Sequence, residues 1–157
     1  MAARILVADD HEIVLEGIRT LVQRSGRGWE ICGEARNGRD AVDLAKSLRP
    51  DVIILDITMP IMSGLEAASQ LSRAGNDRIL IFTMHESPRL EAEVRAAGAQ
   101  GFVLKSEAAR DLIRAIDHLL AGDIFYGNPP QKKEDKASAD KKTSNNVFFW
   151  SAAFDLG

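Results

Sequence analysis

The sequence predicts an α/β fold in which a parallel sheet is covered by helices on both faces. Short apolar runs recur along residues 1–126, amphipathic stretches lie between them, and the runs are continuous rather than alternating. Continuous runs mark strands buried on both faces, and strand–helix alternation is the pattern of βαβ crossovers.

Each element has a local reason. Arg4–Ala8 is a short apolar run and the first strand. Residues 11–24 place Val14, Ile18 and Leu21 on one helical face, with Ile13 and Gly17 beside it. Trp29–Ala35 is a second strand. Asp40–Leu48 is a helix stopped ahead of Pro50, because the residue before proline avoids the helical region. Val52–Leu55 is the clearest buried strand and ends at Asp56, and Leu65–Arg73 is a helix closed by Gly75. Ile79–Phe82 is a strand ending at Thr83. Ser87 then offers a cap and Pro88 a first helical residue for a helix running to Ala97. Phe102–Leu104 is a fifth strand delivering Lys105. Ser106 can cap a last helix whose Leu112, Ile116, Leu119 and Leu120 form one face before Gly122.

Composition bounds the rest. The 157 residues leave room for one domain, and 45% hydrophobic with 27% charged residues is globular composition. Residues 1–126 hold 15 basic and 19 acidic side chains, a net charge of -4, which argues against a strongly basic nucleic-acid binder. No apolar run approaches the roughly 18–20 residues of a membrane span, and the N-terminus does not have the pattern of a signal peptide. Cys32 is the one cysteine, so internal disulfides and cysteine-rich zinc sites are excluded and the cytoplasm is the expected compartment. After Gly127-Asn128-Pro129-Pro130 the composition changes. Residues 131–146 are almost wholly polar, hold five of the 20 basic residues, and are expected to be disordered before the aromatic cluster Val147–Trp150. The expected division is a folded domain over 1–126 and a linker or tail over 127–157.

In open parallel α/β sheets ligands bind outside the carboxyl ends of the strands. Strand one delivers Asp9 and Asp10 there, strand three Asp56, strand four Thr83 and strand five Lys105. Two carboxylates about 4 Å apart repel by about 4 kcal/mol at an effective dielectric near 20, so such a cluster raises a pKa or recruits a cation. A hard divalent ion such as Mg²⁺ suits oxygen ligands and keeps waters that a phosphate can displace. With a metal bound, Asp56 is the natural nucleophile for phosphoryl transfer, with Lys105 and the Thr83 hydroxyl stabilising charge on the equatorial oxygens. Each residue has an ordinary reading by itself: Asp9-Asp10 as a helix cap, Asp56 as a turn residue, Thr83 as a strand end, Lys105 as a surface charge. The set together favours chemistry.

These residues carry a further pattern. Asp9-Asp10, the segment Asp56-Ile57-Thr58-Met59-Pro60 with Gly64 eight residues past the aspartate, Thr83, and Phe102 three residues before Lys105 resemble the receiver domain of two-component response regulators, over about residues 3–122. The resemblance implies a flavodoxin-like (βα)5 fold with strand order 2-1-3-4-5. It implies phosphorylation of Asp56 by a sensor histidine kinase, and Mg²⁺ held by Asp9 or Asp10, Asp56 and the backbone carbonyl of Thr58. It also implies a switch formed by Thr83 and Phe102, and homodimerisation through the first and last helices. Asp9-Asp10-His11, Val14, Gly17-Ile18 and Thr83-Met84-His85 are similar to the LuxR/NarL/FixJ-type branch of transcription regulators.

Departures from the pattern matter. Ser106 follows the lysine where many receivers carry proline, and a cis bond before serine costs about 2.5–4 kcal/mol. Met84 stands where many receivers have a smaller residue and is expected, with His85, to modulate access to Asp56. His11 and His85 are expected as exposed loop or helix-end residues. The 31 residues after 126 are too few for a helix-turn-helix output domain of about 60 residues, so DNA contact is expected only through a domain this chain does not contain. A stand-alone receiver, a fragment of a longer regulator and a receiver with a foreign tail are the alternatives. An aspartate-nucleophile phosphatase would want a second acid shortly after Asp56, where Ile57, Thr58 and Met59 stand. A flavodoxin-like cofactor binder would want a glycine-rich loop in place of Asp9-Asp10. A pseudo-receiver acting by constitutive contacts is disfavoured by the complete set of acids, threonine and lysine.

Overall fold

A computed structural model of the chain describes residues 2–127. The polar stretch 131–146 and the Val147–Trp150 cluster lie outside the described residues. Strands and helices alternate as β1 (Arg4–Ala8), α1 (Glu12–Arg24), β2 (Glu30–Ala35), α2 (Gly38–Leu48), β3 (Val52–Leu55), α3 (Gly64–Arg73), β4 (Ile79–Thr83), α4 (Leu90–Ala96), β5 (Gly101–Leu104), α5 (Ala108–Leu120) and β6 (Phe125–Tyr126). Every sheet pairing is parallel, and the order is β2-β1-β3-β4-β5-β6. The chain adds β2 on one side of β1 and β3 on the other, and this reversal of strand order makes the topological switch point at which such sheets bind ligands.

Side-chain alternation along the central strands feeds two cores. Ile5 and Val7 of β1, Ile54 of β3 and Phe82 of β4 face Val14, Leu15 and Ile18 of α1 and Leu112, Ile116 and Leu119 of α5. Leu6, Ile53, Leu55, Ile79 and Ile81 point to the other face, against Ala41 and Ala45 of α2, Ala67, Ala68 and Leu71 of α3 and Val94 of α4. Alanines on α2 and α3 let those helices lie close to the sheet. β3 and β4 are buried at every position, which is why they read as unbroken apolar runs.

Four local expectations change. β6 pairs with β5 as a sixth strand, and two residues are too few to show a period. Its approach depends on Gly101, where a Cβ would lie 2.4 Å from the carbonyl oxygen of Phe125. α2 starts earlier than Asp40, because the Asn37 side chain accepts a hydrogen bond from the Asp40 backbone N–H and caps the helix. Neither Ser87 nor Ser106 is a side-chain cap. α4 begins at Leu90, the first of the two residues that anchor it in the core, and a single 3₁₀ turn over Lys105–Glu107 leads into α5. In α1, Ile13 is exposed while Leu15 and Val22 are buried, a rotation of the apolar face by about one position. All peptide bonds of the described residues are trans, Lys105–Ser106 included. No helix among the described residues is long and apolar enough to cross a membrane.

Candidate functional site

The parallel topology sends the C-terminal ends of β1, β3, β4 and β5 to one edge. There Asp9, Asp56, Thr83 and Lys105 converge, each no more than 5% exposed. Such burial of three charged groups is stable only if they satisfy one another. The Lys105 ammonium donates to Asp9 Oδ2 at 2.7 Å and stands 3.4 Å from Asp56 Oδ1. Among the described residues no buried side-chain polar atom is left without a hydrogen-bond partner.

Position in the fold decides each role. Asp56 follows the last apolar residue of β3, and its backbone N–H donates to the Ala8 carbonyl, tying it to β1 beside Asp9. Gly64 fixes the other side. Its N–H donates to the Ile57 carbonyl, and a Cβ there would lie 1.8 Å from the Asp56 carbonyl oxygen. Only glycine lets α3 start against the backbone of the site. Thr58 is an exposed residue of this β3–α3 loop. Ser63 caps α3 by accepting from the Glu66 N–H.

Burial raises the Asp56 carboxyl from its ordinary range to about 6, opposed by the Lys105 charge and reinforced by Asp9 and Asp10. Three carboxylates and one ammonium leave the cluster with excess negative charge. Ligand atoms of Asp9, Asp10, His11 and Asp56 all lie within 4.8 Å of one another. A donor set of carboxylate oxygens with uncompensated charge fits a hard divalent cation, and Mg²⁺ suits it.

His11 occupies the helix end expected of it, and its ring also reaches the acidic pair. It stands at the N-cap of α1 and is partly exposed, yet its Nδ1 lies 3.2 Å from both Asp9 Oδ1 and Asp10 Oδ1. Its backbone N–H also donates to Asp9 Oδ1 at 2.9 Å. Adjacency to the acidic pair was the available signal, but a side chain at a helix start has no fixed direction in sequence. Thr83 is buried, and its Oγ1 accepts from the His85 N–H at 3.3 Å. The Met84 and His85 side chains are exposed on the β4–α4 loop. Phe102 lies on half-buried β5, with its ring centroid 6.4 Å from that of Tyr126.

This edge, on this sheet, defines a class: the response regulator receiver domain, whose family model matches residues 5–117. The chain belongs to that family. It is 37% identical over 122 residues to the transcriptional regulatory protein YdfI of Bacillus subtilis (strain 168), covering 78% of this chain and 57% of that protein. It is 36% identical over 125 residues to the response regulator UvrY of Escherichia coli, covering 79% and 57%. The crystal structure of a LuxR-family two-component response regulator from Aurantimonas sp. aligns with a TM-score of 0.74 and 36% identity, covering 80% of this chain and 89% of that one. The relatives are LuxR/NarL-type response regulators, and the chain spans 57% of the length of the curated proteins named here.

Proposed function

We propose that this receiver accepts a phosphoryl group on Asp56 from the phosphohistidine of a sensor histidine kinase. The burial of Asp56 between Lys105 and Asp9, at the end of the central strand, is the observation that carries the reading. An Asp56 carboxylate oxygen attacks phosphorus, a P–O bond forms, and the P–N bond to the donor imidazole breaks with the electron pair leaving on nitrogen. Lys105, already beside Asp56, holds a positive charge against the phosphoryl oxygens. Thr83 offers its hydroxyl from the neighbouring strand end. Mg²⁺, held by Asp9, Asp10 and Asp56 with the backbone carbonyl of Thr58, would neutralise the oxygens brought together there. Met84 and His85 stand at the rim, where their bulk sets how readily water reaches the acyl phosphate.

Phosphorylation adds roughly -1.5 to -2 charges next to Lys105 and Thr83. The loop arrangement that pairs better with that charge gains population, with Thr83 and Phe102 as the moving parts. The output follows as dimerisation through α1 and α5. The natural context is the N-terminal regulatory part of a cytoplasmic LuxR-type transcription regulator, with DNA contacted by a domain other than this one. Residues 1–126 form the receiver and 127–157 a linker or tail. The domain is a signalling switch rather than an enzyme with an external substrate.

Incubation of the full chain with acetyl phosphate and Mg²⁺, followed by intact-mass measurement, tests it. The expected result is one added phosphoryl group that Asp56→Asn abolishes. An unmodified wild type, or equal modification of Asp56→Asn, would sink the reading.

A further inference from the structure

The ring of His11 is not held in place by the helix it begins. An N-cap side chain ordinarily accepts a hydrogen bond from the first turn. That of His11 accepts none, and the Val14 and Leu15 N–H groups go to its backbone carbonyl instead. The ring is turned onto the acids, with Nδ1 3.2 Å from Asp9 Oδ1 and 3.2 Å from Asp10 Oδ1. The other two histidines lie differently. His118 Nδ1 is 2.7 Å from the Arg114 carbonyl of its own helix, and the His85 side chain is exposed.

These separations are those of a coordination shell. Neighbouring ligands of an octahedral ion, at about 2.1–2.2 Å from it, stand about 3.0–3.1 Å apart, and opposite ones about 4.2–4.4 Å. Donor atoms of Asp9, Asp10, His11 and Asp56 all lie within 4.8 Å of one another, so small side-chain shifts bring all four onto one ion. Asp9 has an oxygen to give. Its Oδ2 accepts from Lys105, while its Oδ1 is turned to His11 and accepts from the His11 backbone N–H. Burial grades the set outward: Asp56 and Asp9 are buried, His11 is half-buried and Asp10 is exposed. The imidazole therefore stands at the mouth of the site, within reach of an entering ion.

We propose that His11 Nδ1 is a ligand of the ion at this site and tunes it toward borderline divalent transition ions such as Co²⁺ and Mn²⁺. The inference rests on the metal reading given above and adds a nitrogen donor to it. Carboxylate oxygens alone suit Mg²⁺, which gives up its waters reluctantly and gains little from nitrogen. Imidazole raises affinity for the later first-row ions, so the ring sets which ion competes with Mg²⁺. The tautomer with its hydrogen on Nε2 leaves the Nδ1 lone pair for the metal.

The test is metal titration of the full chain without a phosphoryl donor, by calorimetry with Mg²⁺ and with Co²⁺. Electron spin echo spectroscopy of the Mn²⁺-loaded chain reads nitrogen ligation directly. Nitrogen coupling is expected in wild type and in His118→Ala, and is expected to vanish in His11→Ala. His11→Ala should bind Co²⁺ about tenfold more weakly while Mg²⁺ affinity stays within about twofold of wild type, which also verifies that the variant is folded. Absence of nitrogen coupling in wild type, or its persistence in His11→Ala, would overturn the proposal. So would coupling lost in His85→Ala but kept in His11→Ala, or an equal loss of Co²⁺ and Mg²⁺ binding, which would make the ring a brace for the acids. Wild type that binds Mg²⁺ without nitrogen coupling to Mn²⁺ sinks the role of His11 alone, whereas wild type that binds neither ion sinks the metal reading as well. Nitrogen-coupled Mn²⁺ in a chain that acetyl phosphate leaves unmodified would sink the phosphoacceptor reading and support this one.

Discussion

The two edges of the sheet treat charge in opposite ways. At the carboxyl edge Asp9, Asp56 and Lys105 are withdrawn from water and can be stable only through one another. At the amino edge charged groups keep their solvent, as in the Arg27–Asp117 pair joining the β2 approach to α5. The same residue types therefore differ in consequence. A buried charge that loses its partner costs several kcal/mol, whereas an exposed pair is worth at most about 1 kcal/mol. Reactivity follows burial, since a carboxylate held at high energy gains most from a cation or a phosphoryl group.

Removing the buried cation breaks the contrast most severely. Lys105→Met leaves Asp9 and Asp56 facing each other, and metal-free urea melts near neutral pH should show a loss of about 3–5 kcal/mol. Mg²⁺ is expected to restore more stability to this variant than to wild type. Equal melts in chelator would show that the ammonium does not hold the carboxylates together.

Gly64→Ala attacks the backbone of the same edge. The added Cβ meets the Asp56 carbonyl, so α3 must shift, and about 2–3 kcal/mol of stability should be lost together with phosphoryl incorporation. Retention of both would show that the loop yields freely.

A change of pH sharpens the comparison in the metal-free protein. Burial lifts the Asp56 carboxyl from 3.8 to about 6 in the folded state, so the native state binds the extra proton. The stability this group contributes is present below its unfolded pKa and lost as pH rises through about 6. Asp56→Asn should therefore stabilise the chelated protein by roughly 1–3 kcal/mol at pH 7.5, with the gain shrinking toward pH 4. A constant difference across that range would mean that Asp56 does not titrate there.

The smallest effect belongs to the surface. Arg27→Ala should cost at most about 1 kcal/mol and lose its effect at high salt, as measured by thermal melts at two ionic strengths. A larger, salt-independent loss would move this pair into the buried class.

Much of the fold was legible because β1, β3 and β4 are buried on both faces, and that burial writes unbroken apolar runs into the chain. β6 was not legible. Phe125 and Tyr126 carry no period, and their pairing depends on the missing side chain of Gly101, far away in sequence. The starts of α4 and α5 escaped for a related reason. Serine is a competent cap in both places, but the burial of Leu90 and the inward turn at Lys105 decide where each helix begins.

The candidate site divides along the same line. That Asp9, Asp10, Asp56, Thr83 and Lys105 share one edge follows from chain order, because every crossover in a parallel sheet returns the next strand in the same direction. Which groups touch was settled in three dimensions. Lys105 donates to Asp9 while standing near Asp56, and His11 turns its ring onto the acidic pair. Distances of this kind depend on side-chain rotamers and strand register. The sequence alone determined the strand order in time and the residue at each strand end. Tertiary packing decided how far those residues were withdrawn from water, and with it the raised pKa of Asp56.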